Sequence, residues 1–244
     1  MAWETPKIDW VAADGVRAAD MNRIEGNILA LSKQSANTDI ILYVATTGND
    51  NAGDGSSGNP YATLSKAISV MPKQLNGASC AIEVAAGTYR EDVVIAGFTA
   101  PIELTGNGTV ILNSLIIEGC VVSTSGLLDI ETTGSLIVRS NGTLVAYGDI
   151  TARGGITVRD CGNATCSILH AYGTYAVSVY NASRLHASNM SGSGTTYGLY
   201  VISGGILSYD FNGVNGTVRT ASGGRIYAGA QTAGVSPGLP SETV

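Results

Sequence analysis

Residues 134–142 (GSLIVRSNG) and 154–162 (GGITVRDCG) align at an offset of 20, keeping glycine, an aliphatic residue, valine, arginine and a closing glycine in register. The match recurs downstream. TYAV at 174–177 answers TYGL at 196–199, an offset of 22, and GGI at 204–206 answers GGRI at 223–226, an offset of 19. A period of 19–22 residues made of short strands and glycine turns is the pattern of a solenoid, not of a sandwich. Leucine is too sparse for a leucine-rich repeat. A parallel β-helix fits better: each coil has three short strands, and each inward side chain stacks on its equivalent about 4.8 Å along the axis. Recurrent aliphatics then fill the interior, and glycines serve corners that need positive φ. Residues 80–230 leave room for about seven or eight such coils, with Leu136 and Ile156 stacked inside.

Three other stretches differ from this pattern. Residues 1–38 read as an extended arm carrying both tryptophans, Trp3 and Trp10, followed by a helix over 18–35. Met21, Ile24, Ile28 and Leu31 form a narrow apolar seam at near-heptad spacing on that helix, and Asp20 stands where an N-cap or first-turn acid belongs. The seam must pack on something, either another copy or the domain that follows. Residues 39–79 read as strand, turn-rich loop, helix and strand, with Leu64, Ala67, Ile68 and Met71 on one helical face and Pro72 as the stop. A solenoid end is an unpaired edge, and this stretch can supply its N-terminal cap. Residues 231–244 form a C-terminal tail.

Charge narrows the partners. Charged residues are 13% of the chain, the net charge is −6, and all four lysines (Lys7, Lys33, Lys66, Lys73) lie in the first third. No basic stripe marks a nucleic-acid surface. Residues 161–244 hold two acids and three arginines, so long-range charge recruits little there. No apolar run is long enough to span a bilayer, and no secretory signal is visible at the start. Cys80, Cys120, Cys161 and Cys166 match no zinc or redox spacing; with His170 and His186 the sole histidines, we expect buried reduced thiols, no metal site and no cofactor. Asp50 and Asp54 could ligate calcium, but their spacing is not that of an EF-hand, and a solvated loop is the simpler reading.

The pieces YVATTGND at 43–50, NPYATLSKAI at 59–68, AGTYRE at 86–91 and PIELTG at 101–106 resemble, in that order, the N-terminal end of pectate-lyase-like right-handed parallel β-helix proteins. The expected fold class is therefore mainly β: a right-handed parallel β-helix with an N-terminal extended arm and α-helix and a helical N-terminal cap. Enzymes and inert fibres share that fold. Residues 1–31, through WETPKIDW at 3–10, ADGV at 13–16 and DMNRIEGNI at 20–28, resemble the N-terminal region of tail-fibre or baseplate proteins from phages and phage-like particles of Gram-positive bacteria. That resemblance implies particle anchoring through Trp3, Trp10, Asn22 and Arg23, a baseplate or tail-tip partner, a homotrimer, and assembly in the bacterial cytoplasm before release by lysis.

Two functions compete on the rod. For catalysis on polysaccharide, the best carboxylates are Asp129 and Glu131, both sent outward by period-2 alternation about 6–7 Å apart, and Asp149, which falls one repeat beyond Asp129. Arg139 and Arg159, also at repeat spacing, more simply pair with those acids on a solvated ladder. For binding, residues 161–244 carry seven of the eleven tyrosines. Tyr172, Tyr175, Tyr180, Tyr197, Tyr200 and Tyr209, with Asn181 and Asn212 among them, offer ring faces and amides suited to neutral sugars. Each tyrosine could equally be an internal stack or a subunit contact. The reading is a non-catalytic protein that binds a bacterial cell-surface polysaccharide; the alternatives are a depolymerase and a structural tail-tip piece.

Overall fold

The computed structural model describes residues 15, 17–32, 35–36, 38–75, 77–212 and 214–228. Trp3, Trp10 and the tail lie outside the described residues, as do the side chains of Leu31 and Asn212. The helix α1 (Ala18–Ser32) is followed by β1 (Ser35–Ala36), β2 (Ile40–Val44), α2 (Leu64–Val70) and β3 (Gln74–Leu75). Then come β4 (Cys80–Thr88), β5 (Asp92–Ala96), β6 (Ile102–Leu112), β7 (Ser114–Glu118), β8 (Val121–Thr132) and β9 (Leu136–Arg139). The series ends with β10 (Thr143–Ala152), β11 (Ile156–Val158), β12 (Asn163–Val179), β13 (Arg184–Ile202), β14 (Ile206–Asn212), β15 (Val218–Ala221) and β16 (Arg225–Ala228).

All of these strands except β1 and β3, which pair only with each other, wind into a parallel β-solenoid of about seven turns. The register makes the repeat explicit. Cys80, Ile102, Val122, Leu144, Ala164, Leu185, Leu207 and Ile226 are successive partners, so neighbouring coils differ by 19 to 22 residues, as expected. Three faces run along the axis. The first stacks β2, the leading halves of β4, β6, β8, β10, β12 and β13, then β14 and β16; the second stacks the trailing halves of β6, β8 and β10 with the middle of β12 and β13. The third stacks β5, β7, β9 and β11 with the ends of β12 and β13, then β15.

Alternation decides what fills the interior. On the third face Val93, Leu115, Leu136, Ile156, Val177 and Leu199 form one inward column, all buried, with Leu136 directly against Ile156 as predicted. Each inward methyl group meets its counterparts above and below, which is why aliphatic identity recurs at the period. Buried Thr124 and Thr132 keep their hydroxyls satisfied: Thr124 Oγ1 accepts the Tyr147 amide at 3.1 Å, and Thr132 Oγ1 donates to the Gly134 carbonyl at 3.0 Å.

The corner between the third and first faces has its own ladder. Ser140–Asn141, Asp160–Cys161 and Asn181–Ala182 all have φ between 52° and 63°, a region non-glycine residues visit rarely. The second residue of each pair donates its amide to the carbonyl of the first residue one coil on, at 3.1 Å for Asn141 to Asp160, Cys161 to Asn181 and Ala182 to Ser203. That shared hydrogen bonding holds the strained corners. Glycine follows the corner at 142, 162, 205 and 224; a Cβ at Gly162 would stand 2.5 Å from the Val138 carbonyl oxygen.

Two helical expectations shift. α2 is shorter than the periodicity suggested, because Thr63 is its N-cap and Met71, which precedes Pro72, is held extended at φ −69° and ψ 131°. α1 stops at Ser32, and Ser35 joins a short parallel bridge to Gln74. Its seam residues Met21, Ile24 and Ile28 are exposed, while Asp20 and Asn27 are buried. Asn22 is exposed and Arg23 half-buried, and Asp20 accepts from the Arg17 backbone amide at 3.2 Å and lies 3.7 Å from Arg23.

Candidate functional site: a tyrosine-lined groove

The third face turns its outward positions into a groove of about 620 Å³. Its floor follows the axis through Thr157, Ser178 and Tyr200, which are register partners in three consecutive coils. Gly154 and Gly173 leave one wall low, and Ser135, Thr174, Tyr175, Tyr180 and Ile202 complete the lining. Among the described residues, those lining the groove are all uncharged.

Three rings pack together here; Tyr175 and Tyr200 line the groove, and Tyr197 supports them without lining it. Tyr175 and Tyr197 are register partners with centroids 5.5 Å apart; Tyr200 is 5.3 Å from each of them, edge-on to Tyr175 at 74°. Such geometry favours contact between positive ring edges and negative faces and fixes the rings. The Arg219 guanidinium lies 5.6 Å from the Tyr200 centroid, a cation–π distance. Tyr175 is exposed, and Tyr180 and Tyr200 are half-buried, so the groove combines apolar faces with the hydroxyls of Thr157, Thr174 and Ser178.

The remaining sequence candidates scatter. Tyr172 is exposed beside Gly173 but does not line the groove. Tyr209 is corrected from surface contact to core: it is 3% exposed, on an inward position between Ala187 and Ala228. Asn181 is exposed at the left-handed corner, away from the groove lining, its amide donating to Asp160 Oδ1 at 2.7 Å. Asn212 is the register partner of Met190 in β14.

Asp129, Glu131 and Asp149 do point outward on the second face, flanked by buried Leu128, Ile130 and Thr132. Asp129 Oδ1 accepts the Asp149 backbone amide at 2.9 Å across the register shift in β10, so that carboxylate supports the coil. Glu131 pairs with Arg153. The expected pairing of these acids with Arg139 and Arg159 does not form. Arg139 belongs to the third face, where its register partner Glu118 binds it at 3.0 Å, and Arg159 reaches Asp160 at 3.6 Å. Sequence reading missed two histidine–serine rungs: His170 Nδ1 to Ser191 Oγ at 2.6 Å, and His186 Nδ1 to Ser208 Oγ at 3.0 Å.

The acidic loop is closed by its own backbone. Asp50 Oδ1 accepts the Ala62 and Thr63 amides at 2.8 and 3.1 Å, and Asp54 Oδ1 accepts the Ser56 amide at 2.9 Å. Cys80, Cys120 and Cys166 are buried, whereas Cys161 is exposed, its corner position turning it outward against expectation. No group of three metal-ligating side chains occurs among the described residues, and no helix among them is long and apolar enough to cross a membrane. No protein family, curated protein or solved structure matches the chain.

Proposed function

We propose that the chain is an attachment component of a phage or phage-like particle: a right-handed β-helical fibre or receptor-binding piece that holds a bacterial cell-surface glycan without cleaving it. The observation that carries the binding half is the uncharged groove built by Tyr175, Tyr180 and Tyr200 on a rigid solenoid. Sugar C–H faces stack on such rings while their hydroxyls take the Ser and Thr partners. The resemblance of residues 1–31 supports the particle half, with Asn22 and Arg23 in the anchoring segment and residues 39–79 as the cap. Exposure of Met21, Ile24 and Ile28 supports a helix that meets other copies, in a homotrimer. One ring adds about 1 kcal/mol beyond burial, so single sites bind weakly and linked copies raise avidity.

The test is retention of the purified protein on host cell-wall polysaccharide, with reducing ends followed in parallel. Retention without new ends is expected, and Tyr175→Ala with Tyr200→Ala should weaken it about tenfold. New reducing ends lost on Asp129→Asn or Glu131→Gln would establish a depolymerase instead. Light scattering of the full chain at micromolar concentration checks the trimer, and a mass of 24.9 kDa overturns it.

A further inference from the structure

A second cavity, of about 580 Å³, opens at the other end of the solenoid, between the loop before α2 and the first coils. Tyr43 of β2 and Glu83 of β4 are register partners on the same outward row, their backbones one coil apart at about 4.8 Å, and both side chains line the cavity. Ser57 faces them from the loop, and Asn107 of β6 lies one coil further on. The floor is bare: Ala86 and Gly106 line it, and a Cβ at Gly106 would collide with the Val84 carbonyl. The strand ladder also breaks here, with Ala85 opposite Asn107 but Gly87 opposite Val110, a bulge of the kind that gathers at binding sites.

The chemistry is unlike that of the tyrosine groove. Among the described residues, Glu83 is the one charged side chain in the lining, and no basic group lines the cavity to offset it. We infer that this cavity takes a basic side chain of a partner polypeptide, its ammonium or guanidinium held between the Tyr43 ring and the Glu83 carboxylate. A cation gains from both at once: the negative face of the ring and a charge-assisted hydrogen bond to the carboxylate. The aliphatic stem of lysine or arginine lies along the bare floor while its head reaches the polar groups. The volume suits one long side chain with its flanking backbone. The two cavities share no residue, so basic-chain binding here is independent of glycan binding in the tyrosine groove.

The experiment uses the full chain and a tripeptide blocked at both ends, with central arginine, followed by amide chemical shifts. The arginine peptide should shift the Tyr43, Glu83 and Asn107 amides and leave Tyr175 and Tyr200 unmoved. Its glutamine counterpart should bind about tenfold more weakly, as should the arginine peptide to Glu83→Gln, an exposed position where amide replacement leaves the fold intact. Equal binding of the two peptides, undiminished affinity of Glu83→Gln, absence of shifts with the arginine peptide, or stronger shifts of the same amides with a neutral trisaccharide would each overturn the proposal. Loss of glycan retention on Tyr200→Ala leaves this result untouched, so the two readings fail separately.

Discussion

Cys161 and Cys166 sit five residues apart and meet opposite fates. Cys161 is exposed at the left-handed corner, while Cys166 faces the core and burial pushes its thiol up to about 12. Burial also raises Cys80 and Cys120. Alkylation needs thiolate and access. At pH 8 iodoacetamide should therefore label Cys161 alone in the folded chain and all four thiols in denaturant, read by intact mass; early labelling of Cys166 counts against its burial. Two aspartates make the complementary statement about acid. The Ser79 backbone amide holds Asp39 below the ordinary aspartate value of 3.8, and the Ser56 hydroxyl and amide do the same for Asp54. A lowered folded value means their contribution is complete above 3.8 and fades as pH falls through the lowered values. Melting temperature followed from pH 6 downward should drop less steeply for Asp39→Asn with Asp54→Asn than for the parent chain.

Among the elements, α2 is held at its start by two carboxylates distant in sequence, Asp50 and Glu91. Asp50 binds the Ala62 and Thr63 amides and the Thr63 hydroxyl, and Glu91 binds the Leu64 and Ser65 amides. The Thr63, Leu64 and Ser65 amides are among the donors a helix start leaves unpaired. Asp50→Asn or Glu91→Gln should each cost about 1–2 kcal/mol, visible as a lower denaturant midpoint with an unchanged slope. These contacts explain what the sequence could and could not disclose. Leu64, Ala67 and Ile68 declared the buried face by spacing, and all three are in the core. The cap was hidden, because Asp50 lies 13 residues before Thr63 and Glu91 lies 27 residues after Leu64. A calcium reading of Asp50 and Asp54 arises naturally when acids in a loop are seen without the amides that fold back onto them. Arg139 misled in the same way: its period was legible, but the face it belonged to was not, and Glu118 rather than Asp129 met it.

At the scale of the whole molecule the solenoid is quasi-one-dimensional, so its stability is a sum of coils and of contacts between neighbours. The period of 19 to 22 residues was legible because stacking makes each inward position see its own equivalent, and Leu136 over Ile156 follows directly. The tyrosine groove was legible in part. The match of 174–177 with 196–199 announced the pairing of Tyr175 with Tyr197, but Tyr209 points into the core because it falls on an inward row of the first face, in register with buried Ala187. The same stacking predicts a gradient. Leu136 has a full coil on either side and is wholly buried, whereas Ile226 is half-buried in β16, which among the described residues is paired by β14 alone. Leu136→Ala should cost about 2–5 kcal/mol through lost burial and the cavity left behind, and Ile226→Ala less than about half of that, since only part of its surface leaves water and no closed cavity is left. Native-state hydrogen exchange should show why: amides of β7, β9 and β11 exchange through global unfolding, and those of β15 and β16 through opening of the last described coil. Equal protection across β9 and β16, with equal costs for the two substitutions, would mean that the coils unfold as one cooperative unit and that the nearest-neighbour account of their stability fails.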